Sequence, residues 1–136
     1  MYKHILLPTD GTKLSEKAIK QGVALAQALK ARVTAIAVSP ASSPTAAEMI
    51  AGGHSPDAAQ HLAKVRQAAA SSDVSFNEIH VENDEPYKAI VAAAKKQGCD
   101  LIVMASHGRS GISALVLGSV TAKVLTHTTV PVLVCR

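Results

Sequence analysis

Short apolar segments alternate strictly with segments of helical spacing along the whole chain. The apolar segments His4–Pro8, Arg32–Val38 and Leu101–Met104 are nearly continuous, which is the pattern of strands buried on both faces. In the segment that ends at Leu29, apolar residues recur at three- and four-residue steps, which indicates an amphipathic helix. This alternation predicts right-handed βαβ units, and therefore a parallel sheet with helices on both faces.

The complete pattern predicts five strands and four helices. Thr12 is the predicted N-cap of the first helix, and the stretch from Ser39 to Pro56, rich in Ser, Ala, Pro and Gly, is predicted to be a mobile loop that closes over a ligand. The third strand alternates polar and apolar residues, which favours an edge of the sheet. The remaining predicted elements are strands Ser75–Val81 and Val130–Cys135, and helices over Asp57–Ala70, from Pro86 to Gly98, and from Gly118 onward.

Composition limits the class of protein. A chain of 136 residues fits one domain and buries enough surface to fold alone, and 48% hydrophobic but only 2% aromatic residues predict an aliphatic core. Cys99 and Cys135 lie at no metal-ligand spacing, a pattern typical of a reducing compartment, so the expected location is the cytoplasm. No apolar run is long enough to span a membrane. The net charge of +4 is scattered along the chain, which disfavours nucleic acid as a partner.

One stretch, Leu101 to Leu125, combines an apolar strand with small residues and a helix start. After the strand comes the small and polar run Ala105–Gly111, and Gly118 and Ser119 then precede a segment of helical spacing. A glycine-containing loop that leads into a helix N-terminus suits phosphate, because backbone N–H groups and the helix dipole favour an anion there. Glycines also mark ordinary turns, so the spacing alone leaves a structural loop equally open. Neither a Walker-type loop nor a G-x-G-x-x-G motif is present.

A second candidate segment, Thr9 and Asp10, directly follows the first strand. In open parallel sheets a ligand lies beyond the carboxyl ends of the strands, where the strand order reverses. If that reversal lies between the first and fourth strands, these two residues face the Ala105–Ser119 loop across a crevice. There Asp10 can accept ribose hydroxyl groups or hold a divalent ion, or it serves as a turn residue that stabilises its own loop.

The opening KHILLPTDGT and the segment DLIVMASHGRSGISALVLGSVTAKVLTHTTVPVLV resemble the universal stress protein family, and the resemblance covers essentially the whole chain. One branch of that family binds ATP through the pattern G-x-x-G, nine residues, then G-[ST]. Gly108, the nine residues after it, and Gly118-Ser119 match this pattern, whereas Ala105 replaces its first glycine. The fold we predict is a Rossmann-like α/β domain over residues 1–136, with an open five-stranded parallel sheet in the order 3-2-1-4-5.

The resemblance also implies the ligand and its contacts. Pro8, Thr9 and Asp10 match the segment that touches the nucleoside, and Val38 matches the position whose backbone reads the adenine edge. The ligand is expected to be ATP, with Mg²⁺ or Mn²⁺ accompanying it at Asp10. The complete set of predicted nucleotide-binding residues is Pro8, Thr9, Asp10, Val38, Met104, Ala105, Gly108, Arg109, Gly118, Ser119, Val120 and Thr121.

Three functions are compatible with these features. The first is a small ATP-binding stress or signalling protein whose nucleotide-bound state is read by partners, and which forms a homodimer through its apolar C-terminal strand. The second is a nucleotide-free interaction or chaperone-like module on the same fold. The third is an enzyme of the adenosine-nucleotide hydrolase type. A hydrolytic triad of Ser106, His107 and Asp10 is disfavoured, because there is no G-x-S-x-G elbow and a His next to its Ser is poorly aimed at it. No general base or activated nucleophile is evident in the sequence. Fast hydrolysis is therefore not expected.

Overall fold

The computed structural model describes residues 1–41, 55–107 and 117–136. Its strands are β1 (His4–Pro8), β2 (Arg32–Ser39), β3 (Phe76–Glu82), β4 (Leu101–Ala105) and β5 (Val132–Cys135). Its helices are α1 (Lys13–Leu29), α2 (Ser55–Ser71), α3 (Pro86–Lys96) and α4 (Ser119–His127). Most of the predicted mobile loop, and the predicted site residues Gly108 and Arg109, lie outside the described residues.

The strands form one parallel sheet in the order β3-β2-β1-β4-β5. This order confirms the predicted fold, including the placement of the half-polar β3 at an edge of the sheet. The central strand β1 is the most deeply buried, and Ile5, Leu6 and Leu7 have no exposed surface. A strand with neighbours on both sides and helices on both faces must be apolar at every position, which explains its unbroken apolar run.

Alternate side chains of each strand enter two separate cores. On one face Ile5 and Leu7 join a cluster with residues of α1 and α2, and on the other face Leu6 joins a cluster with residues of α3 and α4. Gly22 of α1 lies so close to β1 that a Cβ atom there would stand 2.4 Å from Leu7 Cδ2. Small residues thus let α1 approach the sheet closely, as a core with few aromatic residues requires.

Helix α1 begins as the sequence predicts. Thr12 is its N-cap, and the Thr12 hydroxyl oxygen accepts a hydrogen bond from the backbone N–H of Ser15 over 3.1 Å. The helix ends at Leu29, and its C-cap Lys30 adopts a left-handed conformation with φ of 56°. Helix ends of this kind satisfy backbone groups that the helix itself leaves unpaired.

Strand β5 is shorter than predicted. It begins at Val132 rather than Val130, because the Thr128 hydroxyl oxygen accepts a hydrogen bond from the N–H of Val130 and holds the preceding residues in a turn. Pro131, which has no N–H, contributes only its carbonyl, which accepts from the N–H of Ile102. The strand pairs with β4 from Val132 onward and is an edge of the described sheet.

A buried histidine lies at the amino end of the sheet. The His4 ring is only 6% exposed, and its Nε2 atom is 2.7 Å from the hydroxyl oxygen of Thr34. Burial lowers the pKa of His4 below its ordinary value of 6.5, and the nearby Arg32 lowers that pKa further, whereas Asp100 opposes the shift. The folded protein thus favours neutral His4 more strongly than the unfolded chain does, and protonation favours the unfolded chain.

Stability should therefore fall as the pH drops below about 6.5, because the unfolded chain then binds a proton that the folded protein resists. The stabilisation from neutral His4 is fully present above that pH and is lost toward the lower folded-state pKa. His4→Gln, which cannot titrate, should show a shallower fall in the free energy of unfolding between pH 7 and about pH 5. Urea denaturation across this range measures it, and equal slopes for both proteins would contradict the prediction.

Candidate functional site

In the described part of the chain, the sheet opens between β1 and β4. These neighbours are paired only as far as Leu6 and Ile102. Beyond that point the chain after β1 turns toward β2, where the N–H of Thr9 donates to the carbonyl of Ile36 over 2.9 Å. The chain after β4 turns the other way, and the N–H of Ser106 donates to the last residue of β5 over 2.7 Å. The two strands thus part at their carboxyl ends and leave a crevice where the strand order reverses.

The turn after β1 forms one wall of this crevice. The Asp10 Oδ1 atom accepts hydrogen bonds from the backbone N–H of Thr12 over 3.0 Å and from its hydroxyl over 2.7 Å. Gly11 between them has a left-handed φ of 80°. The Ser15 hydroxyl reaches back from α1, accepts from the N–H of Asp10 and donates to the hydroxyl oxygen of Thr9. Asp10 therefore acts as a turn residue, and the turn holds its carboxylate at the end of β1.

The N-terminus of α4 forms the opposite wall. Gly118 is its N-cap, and the Gly118 N–H donates to the carbonyl of Ser106 over 2.7 Å. The buried hydroxyl of Thr121 donates to the carbonyl of Ala105 over 2.8 Å, which ties the first turn of the helix to the end of β4. The N–H groups that begin at Ser119 have no carbonyl within the helix, and no hydrogen bond joins them to another residue in the described ranges. Donors of this kind at the start of a helix are the groups that bind anions.

Gly118 is required for close packing within the protein. A Cβ atom at Gly118 would lie 2.8 Å from the Cα atom and 3.0 Å from the Cβ atom of His107. Its φ of −62° is ordinary, so the requirement is one of space rather than of backbone conformation. The sequence predicted this glycine as part of a loop and helix start that suit phosphate. In the structure the glycine lets α4 begin directly against the end of β4.

The backbone of Val38 is directed toward the β1 side of β2. The carbonyl of Ile36 accepts from the chain after β1, whereas the carbonyl of Ser39 accepts from Asn83 after β3. Backbone polar groups of consecutive residues in a strand point to alternate sides, so Val38 points the same way as Ile36. At that level β1 has ended at Pro8. The N–H and C=O groups of Val38 thus face the β1–α1 turn.

The structure brings the described predicted residues to one end of the sheet. They lie at or just after the carboxyl ends of β1, β2 and β4, or in the N-cap and first turn of α4. The side chain of Met104 belongs to the core between the sheet and helices α3 and α4, so that only its backbone faces the crevice end. The extra methyl group of Ala105 packs against the other core, which includes α1 and α2. The described members are Pro8, Thr9, Asp10, Val38, Met104, Ala105, Gly118, Ser119, Val120 and Thr121.

Two side chains at the β1–α1 turn were not predicted from the sequence as part of the site. Ser15 contacts both Thr9 and Asp10, and the His61 ring of α2 covers Gly11, where a Cβ atom would lie 2.0 Å from His61 Nε2. The position of Ser15 held a signal, because a short hydroxyl side chain in a first helical turn can bond backward to the preceding turn. No comparable local signal exists for His61, since α2 is distant in the sequence.

The described residues show no site for a protein-bound metal ion, since they contain no cluster of three His, Cys, Asp or Glu side chains. Ser106 is only 4% exposed, and its hydroxyl oxygen is 3.2 Å from Nδ1 of the neighbouring His107. Its hydroxyl is thus not presented to the crevice as an accessible nucleophile. No helix in the described ranges is both long and apolar enough to cross a bilayer.

Comparison with known proteins gives a consistent result. The model of the universal stress protein family matches residues 1–136. Universal stress protein MJ0531 of Methanocaldococcus jannaschii is 34% identical over an alignment of 144 residues, gaps included. The alignment covers 100% of this chain and 83% of that protein. The solved structure of MJ0577, from the same organism, superposes with a TM-score of 0.80 at 27% identity, and the match covers 99% of this chain and 96% of that one.

Some solved neighbours contain adenine nucleotides. A universal stress protein in complex with cAMP has a TM-score of 0.77 at 24% identity and covers 99% of this chain and 97% of its own. A universal stress protein from Archaeoglobus fulgidus in complex with dAMP has a TM-score of 0.75 at 18% identity, over 99% and 98% of the two chains. At these identities the likeness establishes the fold alone. With the family model matched from the first residue to the last, and a relative at 34% identity along the whole chain, this protein belongs to the universal stress protein family.

Proposed function

We propose that this universal stress protein binds an adenine nucleotide in the crevice between β1 and β4, with ATP as its ligand. The observation that carries the proposal is the parting of these two strands, which leaves Asp10 on one side and the N-terminus of α4 on the other. One wall suits hydroxyl groups and the other suits phosphate. The cAMP and dAMP complexes of its structural neighbours support the adenine nucleotide as the ligand class.

Each part of the nucleotide has a matching part of the site. The N–H groups that begin at Ser119 favour phosphate, because the helix dipole adds partial positive charge there. The Asp10 carboxylate would repel phosphate, but it accepts hydrogen bonds from ribose hydroxyls. The backbone of Val38 offers one donor and one acceptor to the adenine edge. Mg²⁺ or Mn²⁺ would enter with the phosphates and share the Asp10 carboxylate, since hard cations prefer oxygen ligands.

The cellular role we infer is that of a stress or signalling protein, located in the cytoplasm, whose nucleotide-bound surface is read by partners. Fast hydrolysis is not part of this role, because Ser106 is buried against His107 and is poorly placed as a nucleophile. The competing function, a nucleotide-free interaction module, would be favoured if the methyl group of Ala105 closed the crevice. That methyl group packs against the core on the α1 and α2 face, which favours nucleotide binding.

The first test is whether the protein carries or binds nucleotide. Mass spectrometry of the denatured, freshly purified protein should reveal an adenine nucleotide, and calorimetric titration should show ATP binding to nucleotide-free protein. The turnover of ATP should stay near background. If no nucleotide co-purified and the titration showed no ATP binding, the interaction module would be favoured. Rapid turnover of ATP would instead support an enzyme.

Gly118→Val should weaken ATP binding by about a hundredfold or more. The valine side chain would collide with His107 and push the N-terminus of α4 away, so that two or more hydrogen bonds to phosphate, at roughly 1.5 to 3 kcal/mol each, would be lost. Ala105→Gly should bind ATP as well as the unaltered protein or better. Titration of both variants measures these effects, and unchanged affinity in Gly118→Val would exclude this helix end as the phosphate site.

A matched control comes from Gly98, which follows α3, has a left-handed φ of 70° and has open space where a Cβ atom would lie. Gly98→Ala should lower stability by about 1 kcal/mol, because alanine tolerates this conformation poorly. It should leave ATP affinity unchanged. The control separates a loss of binding from a general loss of stability.

We also propose that the protein is a homodimer paired through β5. This strand is an edge of the described sheet, and Leu133 within it and Leu125 on α4 are both more than 40% exposed. An apolar edge favours pairing, and pairing with its own copy is self-limiting. Light scattering at micromolar concentration should give the mass of a dimer, and Leu133→Lys should shift it toward a monomer. A monomer mass for the unaltered protein would refute the proposal.

A further inference from the structure

We propose that Ser15 is a positioning residue of the nucleotide site, which holds Thr9 and Asp10 in the shape that receives the nucleoside. The inference rests on the proposed function and deepens it, because Ser15 belongs to α1 and lies behind the turn. It acts through the contacts of its hydroxyl group with the two residues that follow β1.

The Ser15 hydroxyl both accepts and donates a hydrogen bond. It accepts a hydrogen bond from the N–H of Asp10 over 3.3 Å and donates to the hydroxyl oxygen of Thr9 over 3.2 Å. Ser15 is only 3% exposed and Thr9 only 7%, so water does not readily replace these contacts. Since Thr9 accepts the proton of Ser15, its own hydroxyl hydrogen remains for another acceptor.

The far end of the turn is fixed to α1 without the Ser15 side chain. Thr12, which donates to Asp10 Oδ1, accepts hydrogen bonds from the N–H groups of Ser15 and Glu16 at the helix start. On the sheet side, the N–H of Thr9 is fixed to the carbonyl of Ile36. On the helix side, the Ser15 hydroxyl joins Thr9 and the backbone N–H of Asp10 directly to α1. Without it, the Asp10 backbone loses a buried acceptor and the segment can shift relative to the crevice.

Replacement of Ser15 should not prevent folding. The hydrogen bond that caps α1 uses the backbone N–H of Ser15 and the hydroxyl of Thr12, so it persists when the Ser15 side chain is changed. Alanine is also a better helix former than serine. Ser15→Ala therefore removes the two contacts to the turn and keeps the helix start.

The test compares the binding of adenosine and of ATP to Ser15→Ala by calorimetric titration. Both affinities should fall by the same factor, about threefold to tenfold, because the contacts are long and the loss falls on the nucleoside side of the site. A general distortion would instead weaken ATP more than adenosine, since it would also affect the phosphate contacts at α4. Equal losses support the positioning role, and a larger loss for ATP overturns it.

Thr34→Val is the matched control. It removes another buried hydroxyl, the partner of His4 at the opposite end of the sheet, with little change of side-chain size. It should lower the midpoint of thermal unfolding and leave both affinities unchanged. A Ser15→Ala protein that behaved in the same way would overturn the inference, because Ser15 would then serve only the fold.

A second variant keeps the test independent of any one substitution. Thr9→Val removes one partner of Ser15, and in that background Ser15→Ala should weaken adenosine binding by a smaller factor than it does alone. If Ser15→Ala weakened adenosine binding by the same factor in both backgrounds, the route through Thr9 would be overturned.

If the unaltered protein binds neither adenosine nor ATP, the proposed function fails and the inference with it. If the unaltered protein binds and Ser15→Ala matches it, the inference alone fails.

Discussion

The structure depends on the burial of β1 between neighbouring strands on both sides and helices on both faces. A strand in this position must satisfy its backbone within the sheet and carry apolar side chains in both directions, as Ile5, Leu6 and Leu7 do. Because successive strands add first to one side of β1 and then to the other, the sheet must open at the carboxyl end of β1. The candidate site follows from this constraint.

Both walls of the crevice are built mainly by contacts within the protein. Asp10 is bonded to Thr12, Thr121 to the carbonyl of Ala105, and Gly118 lies against His107. Such contacts fix donors and acceptors before a ligand arrives, which reduces the entropy that binding must overcome. A residue whose polar atoms are used internally can still serve the site, since it holds a neighbouring backbone group in place.

This arrangement also connects the crevice with the sheet edge at β5. The N–H of Ser106 bonds to β5, while the carbonyl of the same residue accepts from Gly118 at the start of α4. One residue thus joins the edge strand to the helix end that we assign to phosphate. This direct link gives the edge strand and the candidate site a common structural element.

Much of the fold was determined by the sequence itself. The unbroken apolar run of β1, the alternation of β3 and the N-cap at Thr12 are local patterns, and local backbone and burial requirements decide them. The predicted strand order, and the gathering of the described site residues at one end of the sheet, agree with the structure. Tertiary structure alone decided which residues of different elements contact one another around the site. Three contacts depend on how different elements pack together, which no local pattern encodes. Gly118 lies against His107, His61 covers Gly11, and the Ala105 methyl group packs against the core formed with α1 and α2.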